Sequence, residues 1–189
     1  MRAKMLLFSL VLTFAAAQNA AAALIFDFAR AGNDVALTVS GSFDLNVALS
    51  GPRPASNTLG VMVPKGGWIL AGDPVVSDVY DVGSPFTPFG TGGLVFFSAS
   101  SGDRVALFSG LSIGVPVGYV SGTPLSASAI VLNANFLSLG LTPGSYVTTL
   151  TNGRFVDTVT VNVPEPATLL VLGTGLCAVA IRRRLKKRG

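Results

Sequence analysis

The stretch DVALTVSGSFDLNVAL (residues 34–49) decides the fold reading, and the rest of the chain is read outward from it. Apolar residues alternate with small or polar ones. Successive side chains of a strand point to opposite faces, so Val35, Leu37 and Val39 fall on one side. Gly41-Ser42 interrupts the run and predicts a turn or bulge. The same pattern recurs along the chain. Further strands are predicted at 24–28, 68–70, 75–80, 94–99, 104–108, 127–132, 146–150 and 155–163, separated by Gly, Pro, Asn, Asp and Ser. Two hairpins are predicted. One turns at Ser101-Gly102-Asp103 between 95–99 and 105–108. The other turns at Thr151-Asn152-Gly153 between 146–150 and 155–161, where Asn-Gly supplies the positive φ of a type I′ turn. No window before residue 167 shows a helical stripe. The expectation is an all-β domain over 24–163, an antiparallel β-sandwich or jelly-roll-like fold, with a barrel as the alternative.

Charge separates this body from its two flanks. The chain has 189 residues, thirteen Lys and Arg, nine Asp and Glu, and a net charge of +4. Eight of the thirteen bases lie in the first four or last eight residues. Within 24–163, five bases (Arg30, Arg53, Lys65, Arg104, Arg154) face eight acids (Asp27, Asp34, Asp44, Asp73, Asp78, Asp81, Asp103, Asp157), a net of −3. The basic isoelectric point thus belongs to the flanks, and a nucleic-acid partner is not expected.

The N-terminal flank, residues 1–23, reads as a signal peptide for signal peptidase. Arg2 and Lys4 precede the apolar run 5–17, and QNAAAA follows. Small residues there suit a peptidase pocket: Ala21-Ala22-Ala23 fits A-x-A with cleavage before Leu24, and Ala20-Ala21-Ala22 fits equally well. The C-terminal flank, 164–189, begins with Pro164-Glu165-Pro166, which ends strand pairing and favours an extended, exposed segment. Fifteen uncharged residues follow, 167–181. As a helix they reach about 22 Å, short of a hydrocarbon core of about 30 Å. Snorkelling of Arg182 and Arg183, with local thinning, closes the gap. The run is apolar all round, unlike an amphipathic helix. The basic tail 182–189, with Arg182, Arg183, Arg184, Lys186, Lys187 and Arg188, predicts a cytoplasmic C-terminus behind a short transmembrane helix.

Pro164-Glu165-Pro166, the adjoining span with Gly173 and Gly175, and the Arg182-Arg183-Arg184 cluster together resemble the PEP-CTERM sorting signal of bacterial envelope proteins. The resemblance implies an exosortase partner in the membrane, with this chain as substrate, and a Gram-negative host that makes exopolysaccharide. It implies transit through the inner membrane, then a place at the cell surface or in the extracellular matrix. A looser similarity to β-rich bodies in that group is carried by Asp103-Arg104, by Tyr119-Val120-Ser121-Gly122 with Leu125-Ser126, and by the run from Phe136 to Tyr146 through Pro143-Gly144. It implies nothing about chemistry.

The body is poor in catalytic side chains. Residues 24–163 contain no His, Glu or Cys, and one Lys. That excludes a Ser–His–Asp triad and a zinc site of the usual kind. The lone thiol, Cys177, lies in the apolar run. Lys65, in Pro64-Lys65-Gly66-Gly67, reads as a turn residue rather than the base of a Ser–Lys pair. Asp73, Asp78 and Asp81 fall within nine residues and read first as turn caps. A weak Ca²⁺ site and a glycosidase-like carboxylate pair are the alternatives. Carbohydrate binding would use exposed aromatics for stacking. Trp68 and Tyr80 are candidates, with Phe86 and Phe89 in the loop GSPFTPFGTGG; the competing expectation is that both Phe fold back as a plug. The reading is therefore a non-enzymatic exported surface or matrix protein without a cofactor. A binding module for extracellular polysaccharide is the alternative, and an Asp-dependent glycan-active enzyme is a second one.

Overall fold

The computed structural model describes residues 23–56 and 59–165. The strands are β1 (Ala23–Ala31), β2 (Asp34–Gly41), β3 (Ser50–Ser56), β4 (Val61–Val63), β5 (Trp68–Ala71), β6 (Val76–Asp81), β7 (Val95–Phe96), β8 (Ala99–Gly102), β9 (Val105–Phe108), β10 (Ser112–Pro116), β11 (Leu125–Val131), β12 (Gly144–Asn152) and β13 (Phe155–Val163). They form two sheets, one of six strands in the order β12-β13-β1-β2-β11-β8 and one of seven in the order β3-β6-β10-β9-β5-β4-β7. All pairings are antiparallel except β1 with β13.

The alternation in the sequence is what builds the core. Leu24, Phe26 and Phe28 of β1, Val35, Leu37 and Val39 of β2, and Val159, Val161 and Val163 of β13 are all buried. They share one cluster with Met62, Ile69, Leu107, Ile113 and Val115 of the other sheet. Two sheets thus face each other across a common apolar layer, as the alternation predicts. Burial of each such side chain stabilises the fold by about 1.5–3 kcal/mol.

The parallel pair fixes where the chain leaves the domain. Ala23 lies opposite Thr158 and Asp27 opposite Asn162, so β13 runs alongside β1 in the same direction. Pro164 therefore emerges beside the end of β1 and its hairpin to β2. That hairpin turns at Gly32-Asn33.

Several expectations are corrected. The strand-like run 34–49 does not resume after its break. Gly41 has φ +109°, and a Cβ there would sit 1.8 Å from the Ala23 carbonyl oxygen. Beyond it Asp44 caps a 3₁₀ turn, Leu45–Val47, by accepting from the Asn46 N–H. The hairpin predicted at Ser101-Gly102-Asp103 is a crossing between sheets: β8 pairs with β11 in one sheet, β9 with β5 and β10 in the other. The Asp103 carboxylate accepts from the Ser126 N–H at 2.8 Å and holds that crossing. The hairpin near Asn152 does form, but Asn152 is the last paired residue, opposite Phe155. Gly153, at φ +59°, opens its two-residue turn with Arg154, and Asn152 has no positive φ. Glycine in the first turn position with one positive φ is the II′ pattern, not I′. Strands β3, β4 and β10 have no counterpart among the predicted ones. β3 carries Pro52 and Pro54 and lies at a sheet edge, where a missing N–H is tolerated.

Candidate functional site

The exit of the chain is the site that strand pairing builds. Val163 is buried and pairs with Gly144, the first residue of β12. Pro164 has no N–H to extend the ladder, so the strand ends there. Pro164 and Glu165 are exposed. They line a cleft of about 480 Å³ with Ala29 and Arg30 from β1 and with Asn135, Phe136 and Leu137 from the loop after β11. The Arg30 guanidinium donates to the Ala134 carbonyl at 3.2 Å and to the Gly32 carbonyl at 2.9 Å, tying that loop to the β1–β2 hairpin. Asp34 accepts from the Asn133 N–H at 2.8 Å, and Asn135 and Ser138 bond each other. On this braced loop Phe136 points into the core while Leu137 is 89% exposed. Arg30 and Leu137 carry no local signal in the sequence. The register of β1 against β13 brings Arg30 to the motif, and the bonds from Arg30 and Asp34 to the loop after β11 bring Leu137.

Pro166, the apolar run 167–181, Arg182, Arg183, Arg184, Lys186, Lys187, Arg188 and Ala21 lie outside the described residues. Among the described residues no helix is long and apolar enough to cross a membrane. Ala23 is described, as the first residue of β1. It pairs with Thr158, and its carbonyl accepts from the Ser42 N–H at 3.2 Å.

The aromatic candidates separate. Phe89 is completely buried and Phe86 nearly so. The GSPFTPFGTGG loop is stitched down by backbone bonds: Phe89 N–H to the Pro64 carbonyl at 3.1 Å and Thr142 N–H to the Phe89 carbonyl at 3.1 Å. The Thr87 N–H adds a bond to the Thr148 hydroxyl at 3.0 Å. The Phe89 ring lies 5.7 Å from that of Phe28. The two rings are a plug, and neither offers a face to a sugar. Trp68 is half-buried on the opposite face of the seven-stranded sheet, its ring centroid 6.4 Å from that of Phe108. Tyr80 packs partly against the core.

The three clustered acids do not converge. Asp78 and Asp81 lie three apart on β6 and project to opposite faces. Asp78 accepts from the Gly118 N–H at 2.9 Å, capping the turn after β10. Asp81 accepts from Ser50 and Ser112 hydroxyls and pairs with Arg53. The Ser112 and Ser50 hydrogen bonds hold its carboxyl below the usual carboxylate range, with burial opposing and Arg53 assisting. Among the described residues no group of three or more acids is placed to hold a metal ion. Lys65 is an exposed residue of a 3₁₀ turn, Pro64–Gly66.

A polar latch at the opposite end of β13 is absent from the sequence reading. Asp157 is completely buried. Its carboxylate accepts from the Asp44 N–H at 2.8 Å and the Thr158 N–H at 2.6 Å. Burial pushes its pKa up, and neighbouring Asp44 adds to this against the two backbone bonds. The Tyr119 hydroxyl accepts from the Phe43 N–H at 2.9 Å and donates to the Thr123 carbonyl at 2.7 Å. Ser121 donates to Asp44 at 2.9 Å. A usable signal exists: in FVDTVTVNV, Asp157 shares parity with Val159, Val161 and Val163, and so shares their buried face. The latch fastens three chain segments.

Comparison with curated proteins and with solved structures gives no match. Residues 162–184 match the family model described as the PEP-CTERM protein-sorting motif. The match starts inside β13 and continues through the exit cleft. The segment that leaves this domain is therefore a PEP-CTERM protein-sorting motif, which implies export, membrane-associated transit and exosortase processing with this chain as the substrate.

Proposed function

We infer that this is an exported, non-enzymatic protein of the cell surface or extracellular matrix, delivered by exosortase processing. The observation that carries the reading is the sorting motif leaving a folded β domain at an exposed Pro164-Glu165. In this reading 1–23 direct export, 167–181 form a short transmembrane helix, and the basic tail 182–189 stays cytoplasmic until an exosortase cuts or transfers the chain near the motif. The lack of His, Glu and Cys in 24–163 supports a non-catalytic role, as does the structural use of Asp78 and Asp81. The test is the mass of the C-terminus after expression in hosts with and without an exosortase. A full tail retained in the competent host overturns the sorting reading.

The pairing of Ala23 in β1 supports one of the two signal-peptidase sites over the other. Cleavage before Leu24 would remove a residue paired with Thr158 and bonded to Ser42. Cleavage after Ala22 keeps both. N-terminal sequencing of exported protein should begin at Ala23.

A second reading is binding of extracellular polysaccharide. Trp68 favours it, set beside Phe108 on the outer face of the seven-stranded sheet. Phe108 also lines a cleft of about 310 Å³ with Arg53, Val79 and Ser112. Phe86 and Phe89 take no part. Exported protein should be retained on immobilised polysaccharide, and absence of retention across a broad glycan panel removes the reading.

A further inference from the structure

The exit end of the domain carries an exposed apolar tip, and few residues separate that end from the proposed membrane span. Val163 is the last residue of β13, and the apolar run starts at Ala167. Four chain steps extend at most about 14 Å. The headgroup layer on each side of a bilayer takes up roughly 5–8 Å. A helix of about 22 Å in a core of about 30 Å draws its ends inward. Tethered so closely, the exit end of the domain stays within reach of the headgroups.

The groups at that end suit a lipid surface. Leu137 is 89% exposed and Leu132, the residue that follows β11, is 52% exposed. Leu137 stands on a loop braced by the Arg30 and Asp34 bonds, so its projection costs little further ordering. Arg30 spends two guanidinium bonds on that brace, and a guanidinium has five N–H donors. The acids near this end are Asp34, occupied by Asn133, Asp27, occupied by the Asn162 amide, and Glu165 in the motif itself. Asp44, Asp103 and Asp157 lie at the other end of the six-stranded sheet, turned away from a lipid surface.

We propose that the 132–137 loop is a membrane-docking tip, with Leu137 seated in the interface and Arg30 facing lipid phosphate while the span is in place. The proposal rests on the reading of 167–181 as a membrane span and names the lipid surface as a partner of the same exit site. Docking holds Pro164-Glu165 flat against the bilayer, where a membrane-embedded enzyme works.

The test uses the full chain, with Cys177→Ala, reconstituted in vesicles of phosphatidylcholine and phosphatidylglycerol. A nitroxide is placed at Leu137→Cys or, as control, at Val120→Cys. Val120 is 69% exposed at the opposite end. Power saturation then reads collision with oxygen and with a water-soluble nickel chelate. The expected result is severalfold lower nickel accessibility at 137 than at 120. Equal accessibility, with the protein resisting an alkaline wash, overturns the docking tip and leaves the span reading intact. Release by the wash overturns the span reading and the docking tip with it. Protection at 137 that appears only when exosortase is reconstituted alongside assigns the tip to the enzyme and overturns lipid docking.

Discussion

The two ends of β13 are built to opposite rules. At its start, Asp157 is buried and bonded to two backbone N–H groups, and Tyr119 and Ser121 close loops over it. At its finish, Pro164 and Glu165 stand free of the ladder at a cleft. One end spends polar groups on holding loops together. The other leaves its backbone open and places an exposed leucine beside it. The lesson is that the stability of this domain and its delivery are separable along a single strand.

The sharpest way to break that comparison is at the motif. Glu165→Ala should abolish or strongly reduce exosortase-dependent processing, read as retained full-length tail by intact mass, while the thermal midpoint is unchanged because Glu165 is exposed. A drop in stability would mean the exit end is structural after all. At the latched end, Tyr119→Phe removes a hydroxyl that bonds both Phe43 and Thr123. It should cost about 1–3 kcal/mol in denaturant unfolding, with processing unaffected.

Asp157 sharpens the contrast through pH. Its folded-state pKa lies above the unfolded value, so the folded chain holds its proton more tightly. Above that raised value the buried charge weakens the fold, and the penalty is relieved as pH falls through it toward 3.8. Below 3.8 the lowered carboxyls of Asp44 and Asp81 reverse the trend, since protonating them removes stability. Unfolding measured against pH should therefore show wild type gaining on Asp157→Asn as acidity rises from neutral toward 3.8. Parallel curves would sink the assignment. The smallest effect is expected for Leu137→Ser, within about 0.5 kcal/mol. A larger loss in soluble protein would show that Leu137 packs rather than docks.

Much of the fold was legible because alternation is a local property. Val35, Leu37 and Val39 announce their face, as do Val159, Val161 and Val163. What escaped depends on distant partners. Ser101-Gly102-Asp103 has the composition of a hairpin turn, and only the pairing of β8 with β11 makes it a crossing. Ser112–Pro116, interrupted by Gly114 and ended by Pro116, has no predicted strand, yet β6 and β9 recruit it from both sides. The Phe86 and Phe89 loop was legible as a plug, the expectation set against sugar stacking, but the bonds to Pro64, Thr142 and Thr148 that pull its rings inward were not. The sorting motif was readable in full because an enzyme must read it as linear sequence. Its setting was not, since Arg30 reaches it through strand register and Leu137 through a loop bonded to Arg30 and Asp34.

The parallel pairing of β1 and β13 also imposes a schedule. β1 is the first strand among the described residues, and it sits inside its sheet between β2 and β13. One of its edges stays unpaired until the last strand arrives. Closing a loop of that length is slow compared with forming the hairpins in between. The sheet is thus finished only by the strand that runs into the sorting motif. A chain that fails to fold leaves Pro164-Glu165 on a loose strand, away from the cleft that frames it in the finished domain.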